Sequence, residues 1–171
     1  MPASPSTDNY YIGKGVITFQ ATGESAARDL GNCEQMEFSP SIEKLDHYSS
    51  RTGVKSKDKS IIVEKGGSLR IVMDEVTGKN LALAVAGTVT QNSAGQDVVD
   101  ILATNAVEGV VVYTGANEVG NKLTATFNKV SFAPEGSVSF ISDEWGQLEI
   151  SGEVLADGAG DFGTIVEVPQ A

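Results

Sequence analysis

The side chains able to do chemistry in this chain are few and scattered. His47 is the sole histidine and Cys33 the sole cysteine. A cysteine activated by a histidine is a nucleophile, and the two need only meet in space. However, Cys33 opens a strand-like run, and neither residue lies in a catalytic signature. Around His47, Ser49-Ser50-Arg51-Thr52-Gly53 has no G-x-S-x-G elbow for a serine nucleophile. One His and one Cys are too few for a zinc site built on these preferred ligands. Asp157-Gly158-Ala159-Gly160-Asp161 resembles part of a calcium loop, but it lacks the further acids and terminal Glu of an EF-hand, and it reads as a hairpin turn. Gly13-Lys14-Gly15 is too short for a phosphate loop. Asp143-Glu144 beside Trp145 would serve a glycosidase only if a cleft set another acid opposite, and a solvated turn is the simpler reading. We therefore expect no catalytic, cofactor-binding or metal-binding residues, and no enzyme.

The chain that would position such groups has 171 residues, with 12 Lys and Arg against 23 Asp and Glu, a formal charge of −11. That length suits one domain with a sizeable core. The charge is asymmetric. Residues 1–85 hold ten basic and eleven acidic groups, net −1, whereas residues 86–171 hold Lys122 and Lys129 against twelve acids, net −10. Non-specific nucleic-acid binding needs basic groups that displace counterions, so the second half repels a phosphate backbone. No apolar run reaches the length of a membrane span. The opening residues lack the basic and apolar blocks of a signal peptide, and a single cysteine suits a reducing compartment.

The pattern of elements is strands with one short helix. Residues 1–9 read as a flexible arm, and 10–171 as a single domain. Residues 11–20 alternate at period two, as do 35–38, the latter strand ending near Pro40. Residues 41–59 are polar, mixed in charge and aperiodic, and read as a long loop, a feature that is functional when a compact domain keeps it. Gly66-Gly67 reads as a hairpin turn between strands at 61–64 and 69–73. Thr77 is an N-cap for a helix over about 78–86, with Leu81, Ala82 and Val85 on one face and Gly87 as C′ residue. Strands follow at 98–102, 107–113, 123–132, 148–154 and 162–168, with Val138 and Phe140 starting another. Leu123, Ala125 and Phe127 fall on odd positions but Val130 and Phe132 on even ones, which predicts a β-bulge at Asn128–Lys129.

Residues 8–87 resemble the major tail tube proteins of long, non-contractile-tailed bacteriophages. The resemblance rests on Tyr11-Ile12-Gly13-Lys14-Gly15 in the first strand, Leu30-Gly31-Asn32 leading into the second, Leu45-Asp46-His47 with Ser49-Ser50 and Gly53, and Asn80-Leu81-Ala82 in a helix closed by Gly87. The second half matches in its all-β character alone. The resemblance implies a mainly β fold, a two-sheet β-sandwich or barrel with one flanking helix and a long loop after strand two. It implies hexameric rings stacked into a hollow tube around a tape-measure protein, bounded by tail tip and tail terminator proteins. Phage DNA would transit the lumen without specific binding, and the protein would reside in the virion tail. Under this reading the loop 41–59 mediates ring stacking through Leu45, Asp46, His47, Arg51, Lys55 and Lys57.

Charge adds two expectations. Residues 43–70 carry Lys44, Arg51, Lys55, Lys57, Lys59, Lys65 and Arg70 against Glu43, Asp46, Asp58 and Glu64, a basic segment suited to the acidic second half of another copy. Glu37, Glu149 and Glu153 lie on the polar faces of their strands and are lumen candidates, because an acidic wall repels passing DNA. The competing class is a β-sandwich binding or decoration module that recognises carbohydrate or protein. A hydrolase using Cys33 or an acidic pair is the third.

Overall fold

The computed structural model describes residues 7–51 and 53–169. Residues 1–6, most of the expected N-terminal arm, lie outside the described residues, as do Thr52 and residues 170–171. A single 3-10 turn at Thr7–Asn9 precedes ten strands and one helix. The strands are β1 Gly15–Ala21, β2 Arg28–Asp29, β3 Cys33–Ser49, β4 Ser56–Met73, β5 Thr88–Gln91, β6 Asp97–Asp100, β7 Val107–Gly115, β8 Lys122–Ala133, β9 Leu148–Val154 and β10 Gly163–Val168, with helix α1 at Gly78–Ala84. The protein is mainly β. One eight-stranded antiparallel sheet runs in the order β2-β1-β7-β8-β9-β4-β3, with β10 also paired to β8, and β5-β6 form a small second sheet.

The large sheet bends at β8. Residues 122–127 pair with β10 and residues 130–133 with β9. Between the two stretches, Gly109 faces Val130 while Val111 faces Phe127, so Asn128 and Lys129 oppose the single residue Val110. This is the bulge expected from the parity change. An extra residue bends its strand and increases its twist. The fold-over carries β3 across β8: the Phe38 and Phe127 rings stand 5.1 Å apart although their strands are not neighbours in the sheet. Between the layers lie Ile17, Phe19, Leu69, Ile71, Met73, Val111, Phe127, Val130, Phe132, Leu148, Ile150 and Val154, with Phe19 edge-on to Phe132 at 5.6 Å. In β9 the inward set Leu148, Ile150, Gly152 and Val154 alternates with outward Glu149, Ser151 and Glu153, as period two requires.

Four expectations are corrected. The loop 41–59 is instead mostly strand: β3 and β4 stay paired from Cys33–Met73 out to Ser49–Ser56, leaving a tip at residues 50–55. Gly66-Gly67 is no turn, since β4 runs through it; a Cβ on Gly67 would meet the Phe38 ring at 2.4 Å. The glycine is there to admit an aromatic ring onto the backbone. Pro40 interrupts nothing, because β3 is the sheet's edge strand and proline's missing N–H is tolerated there. Finally, Val138 and Phe140 begin no strand; residues 134–147 form an irregular loop between β8 and β9.

The helix begins as expected, with the Asn80 amide donating to Thr77 Oγ1 at 3.2 Å. It ends two residues early, at Ala84, and the C′ position is Ala86 in a left-handed conformation (φ 45°) rather than Gly87. The buried face is Asn80, Ala82, Leu83 and Ala84. Asn80 is the anchor: its Nδ2 donates to the carbonyls of Leu30 and Glu75, both at 2.9 Å, and its Oδ1 accepts from Arg28 at 2.6 Å. That one amide ties the helix to β2 and to the segment after β4. Truncation leaves buried groups without partners, each costing 1–3 kcal/mol. Asn80→Ala should therefore destabilise by about 3 kcal/mol, and Thr77→Ala by about 1 kcal/mol. Urea unfolding midpoints check the order, and equal losses would contradict it.

Candidate functional site

The distal halves of β3 and β4 have no support but each other. β9 pairs with β4 only from Gly67 to Met73, while the β3–β4 ladder continues to Ser49–Ser56. At about 3.4 Å per residue, this two-stranded arm projects roughly 30 Å past the sheet. It exposes Ile42, Leu45, Tyr48, Val54, Ile61, Ile62 and Val63. An isolated two-stranded hairpin is marginal in water, because it has no second layer on which to bury apolar side chains. Here polar ties hold it. Asp46 accepts from Ser60 at 2.6 Å and pairs with Lys57 at 2.7 Å, and those two bonds hold its carboxyl below the usual range. His47 Nδ1 lies 2.6 Å from Asp58 Oδ1. Irregularities between Glu43 and Lys44, and between His47 and Tyr48, place an extra β4 residue at Val63 and at Asp58. Such bulges twist an exposed edge.

Of the residues expected to mediate stacking, Leu45, Asp46 and His47 sit on the β3 side of the arm, and Lys57 on the β4 side. Arg51 and Lys55 are exposed at its tip. Asp46 and Lys57 are committed to each other and His47 lies against Asp58, so of these six residues Arg51 and Lys55 are the cations without an ion pair among the described residues.

The lumen candidates come together. In register, Glu37 faces Arg70 and Arg70 faces Ser151, while Glu149 and Glu153 flank Ser151 at two-residue spacing. All three glutamates therefore lie on the outer face of the β3-β4-β9 sheet, with Ser39, Ser68 and Ser131. Arg70 is bound there by Glu149 through two bonds of 2.7 Å, with Glu37 at 3.8 Å and an amide contact to Gln35 at 2.9 Å. The pairing with Glu149 raises the Arg70 pKa, and it holds Glu149 below its ordinary value. With Arg70 occupied, this face presents hydroxyls and carboxylates.

The Cys33–His47 pair does not form. Cys33 and His47 stand near opposite ends of β3, roughly 45 Å apart along an extended strand. Burial, then the nearby charges of Asp29, Asp74 and Glu75, push the Cys33 thiol up to about 11, the reverse of an activated nucleophile. Asp157 binds its own turn, accepting from the backbone of Ala159 at 2.8 Å and Asp161 at 3.0 Å and from Asn128 at 2.8 Å. These bonds form the turn between β9 and β10.

In the sequence, Asp143-Glu144 beside Trp145 reads as a solvated turn, and these residues belong to the segment 142–147. The structure makes them one wall of an open cleft shared with Glu34, whose carboxylate accepts from Gln147 at 2.5 Å. Trp145 is 94% exposed, with Ile141 at 95% and Phe140 at 84%. A mostly polar sequence window hid this apolar display.

A family model described as Protein of unknown function UCP028589 matches residues 10–97 and 92–164. The chain belongs to this family. The match spans both halves, so β1 to β9, the arm and the Trp145 loop lie within the family's extent. Among curated proteins, none matches the chain.

Two measurements follow. The Asp46 pKa is depressed in the fold, so its contribution is complete above the ordinary carboxylate range and lost as pH falls through the depressed value. Protection factors, corrected for the intrinsic pH dependence of amide exchange, should fall in 41–49 and 56–66 under that acidification while those of β9 hold; an equal fall in both would contradict an independently held arm. Cys33 alkylation should be slow at pH 8 and rise tenfold per pH unit until near its elevated pKa; a plateau near pH 8.5 would contradict the buried thiol.

Proposed function

We propose that this protein is a structural subunit that assembles with copies of itself into stacked hexameric rings, forming the hollow tail tube of a long non-contractile-tailed bacteriophage. The observation that carries the reading is the arm. It is an extended ribbon of paired strands that exposes apolar side chains between its charged ones, with no second layer among the described residues to cover it. A monomer gains nothing from such a ribbon; an assembly that buries it gains both its apolar area and its order.

Two further features support the reading. β10 is an exposed strand bearing Ile165, Val166 and Val168, and β3 is an edge along its whole length. Closing a ring removes such edges from solvent. The outer face with Glu37, Glu149, Glu153 and its serines suits a channel wall, since acidic groups repel a sliding phosphate backbone and hold water between. Under this proposal the tape-measure protein occupies the lumen during assembly, and tail tip and terminator proteins bound the tube. DNA passes without specific binding, and the protein is located in the virion tail. No helix among the described residues is long and apolar enough to cross a membrane.

The binding-module reading has one observation of its own, the exposed Trp145 beside carboxylates and an amide, a surface on which a sugar ring could stack.

Electron microscopy of the purified protein over rising concentration separates the two. Rings and stacked tubes are expected. A monomer at all concentrations, together with carbohydrate binding, would contradict the tube. Reversing the charges of Lys55 and Lys57 should abolish tubes or shorten them severalfold; unchanged yield and length would contradict a role for the arm's basic residues.

A further inference from the structure

The arm tip and the Trp145 loop lie at opposite poles of the same strands. β3 starts at Cys33, next to Glu34 in the Trp145 cleft, and ends at Ser49 beside the tip. At about 3.3 Å per residue, roughly 50 Å of strand separates them, so one copy's tip does not reach its own loop.

The two poles are complementary in two independent respects. The tip bears Arg51 and Lys55, with exposed Val54 between them and Leu45 and Tyr48 just behind. The loop 134–147 holds Glu135, Asp143 and Glu144 with no Lys or Arg, and exposes Phe140, Ile141 and Trp145. Glu34 adds a carboxylate from β3, and the cleft measures about 770 Å³. An open cleft with an indole face and carboxylates around it fits a guanidinium or ammonium group. A cation over an indole is attracted by the ring's quadrupole, and nearby carboxylates add charge-assisted hydrogen bonds. The single cation in the neighbouring cleft, Arg70, is already bound by Glu149.

We propose that the Trp145 loop is the receptor for the arm tip of a second copy, with Arg51 or Lys55 seated against Trp145 between Glu34, Asp143 and Glu144. This rests on the self-assembly reading and names its axial contact. Donor and receptor are different surfaces at opposite ends, so the contact is heterologous: it repeats head to tail without closing and fixes one polarity for the whole stack. An isologous, back-to-back pairing would stop at two.

The test uses the full chain and the fluorescence of its sole tryptophan. For the wild type, assembly should shift Trp145 emission to shorter wavelength as water leaves the indole. Two variants are compared, a tip variant (Arg51→Glu with Lys55→Glu) and a loop variant (Asp143→Lys with Glu144→Lys). All four positions are exposed, and circular dichroism verifies folding. Each variant alone should need at least tenfold more protein to form stacks. Mixed in equal amounts, they should form long stacks in which the two variants alternate, because each variant's tip then meets a loop of opposite charge. Combining all four reversals in one chain should restore long stacks. If the loop variant stacks like wild type while the tip variant fails, the receptor assignment is overturned and self-assembly stands. If the wild type never assembles, or oligosaccharide quenches Trp145 in a lasting monomer, both are overturned.

Discussion

β4 is longer than the sheet that supports it, and the rest of the structure follows from that mismatch. From Gly67 to Met73 it has β9 on one side and β3 on the other, and its inward residues Leu69, Ile71 and Met73 are fully buried. From Ser56 to Gly66 it has β3 alone. Buried strands are stabilised by the apolar area they remove from water; the distal ribbon has only its ladder and surface ion pairs, which contribute little. Among the described residues no second layer covers it, and this extended, uncovered ribbon is where the self-assembly proposal starts.

The body makes the mismatch possible. At Asn128–Lys129, β8 exchanges β10 for β9 and the sheet turns over on itself. That fold-over encloses a core without needing the distal arm, and it sends β3 and β4 out along one direction. It also leaves the β3-β4-β9 outer face open, with its glutamates in one plane. The Trp145 loop connects the turned-over β8 to β9, and so lies at the end of the strands away from the arm. One bend thus sets the arm, the polar face and the loop in a fixed relation.

Much of the body was legible in the sequence, and the arm was not. β9 alternates without exception because one face meets the core and the other meets water. The bulge shows as a change of parity because Phe127 and Val130 must both point inward. Thr77 shows because its hydroxyl satisfies a free helical N–H. The arm gave no such signal, since neither of its faces meets a core and no period separates inside from outside. Gly66-Gly67 then looked like a turn, although the ring of Phe38 is what requires small residues there. The anchoring role of Asn80 was not legible, because its partners Arg28 and Leu30 are 52 and 50 residues away in sequence. Of the candidate site, the glutamates were found by strand parity. The exposure of Trp145, Ile141 and Phe140 was hidden, because apolar residues in a short run look the same whether buried or displayed.

The central claim is that the arm and the polar face are the working surfaces of a stacked ring. A cryo-electron microscopy map of the assembled protein tests it most directly. The account predicts a hollow particle in which Glu37, Glu149 and Glu153 line the channel and each arm reaches from one ring onto a subunit of the next. A map placing all three glutamates on the outside, with the arms free of the neighbouring ring, would contradict it.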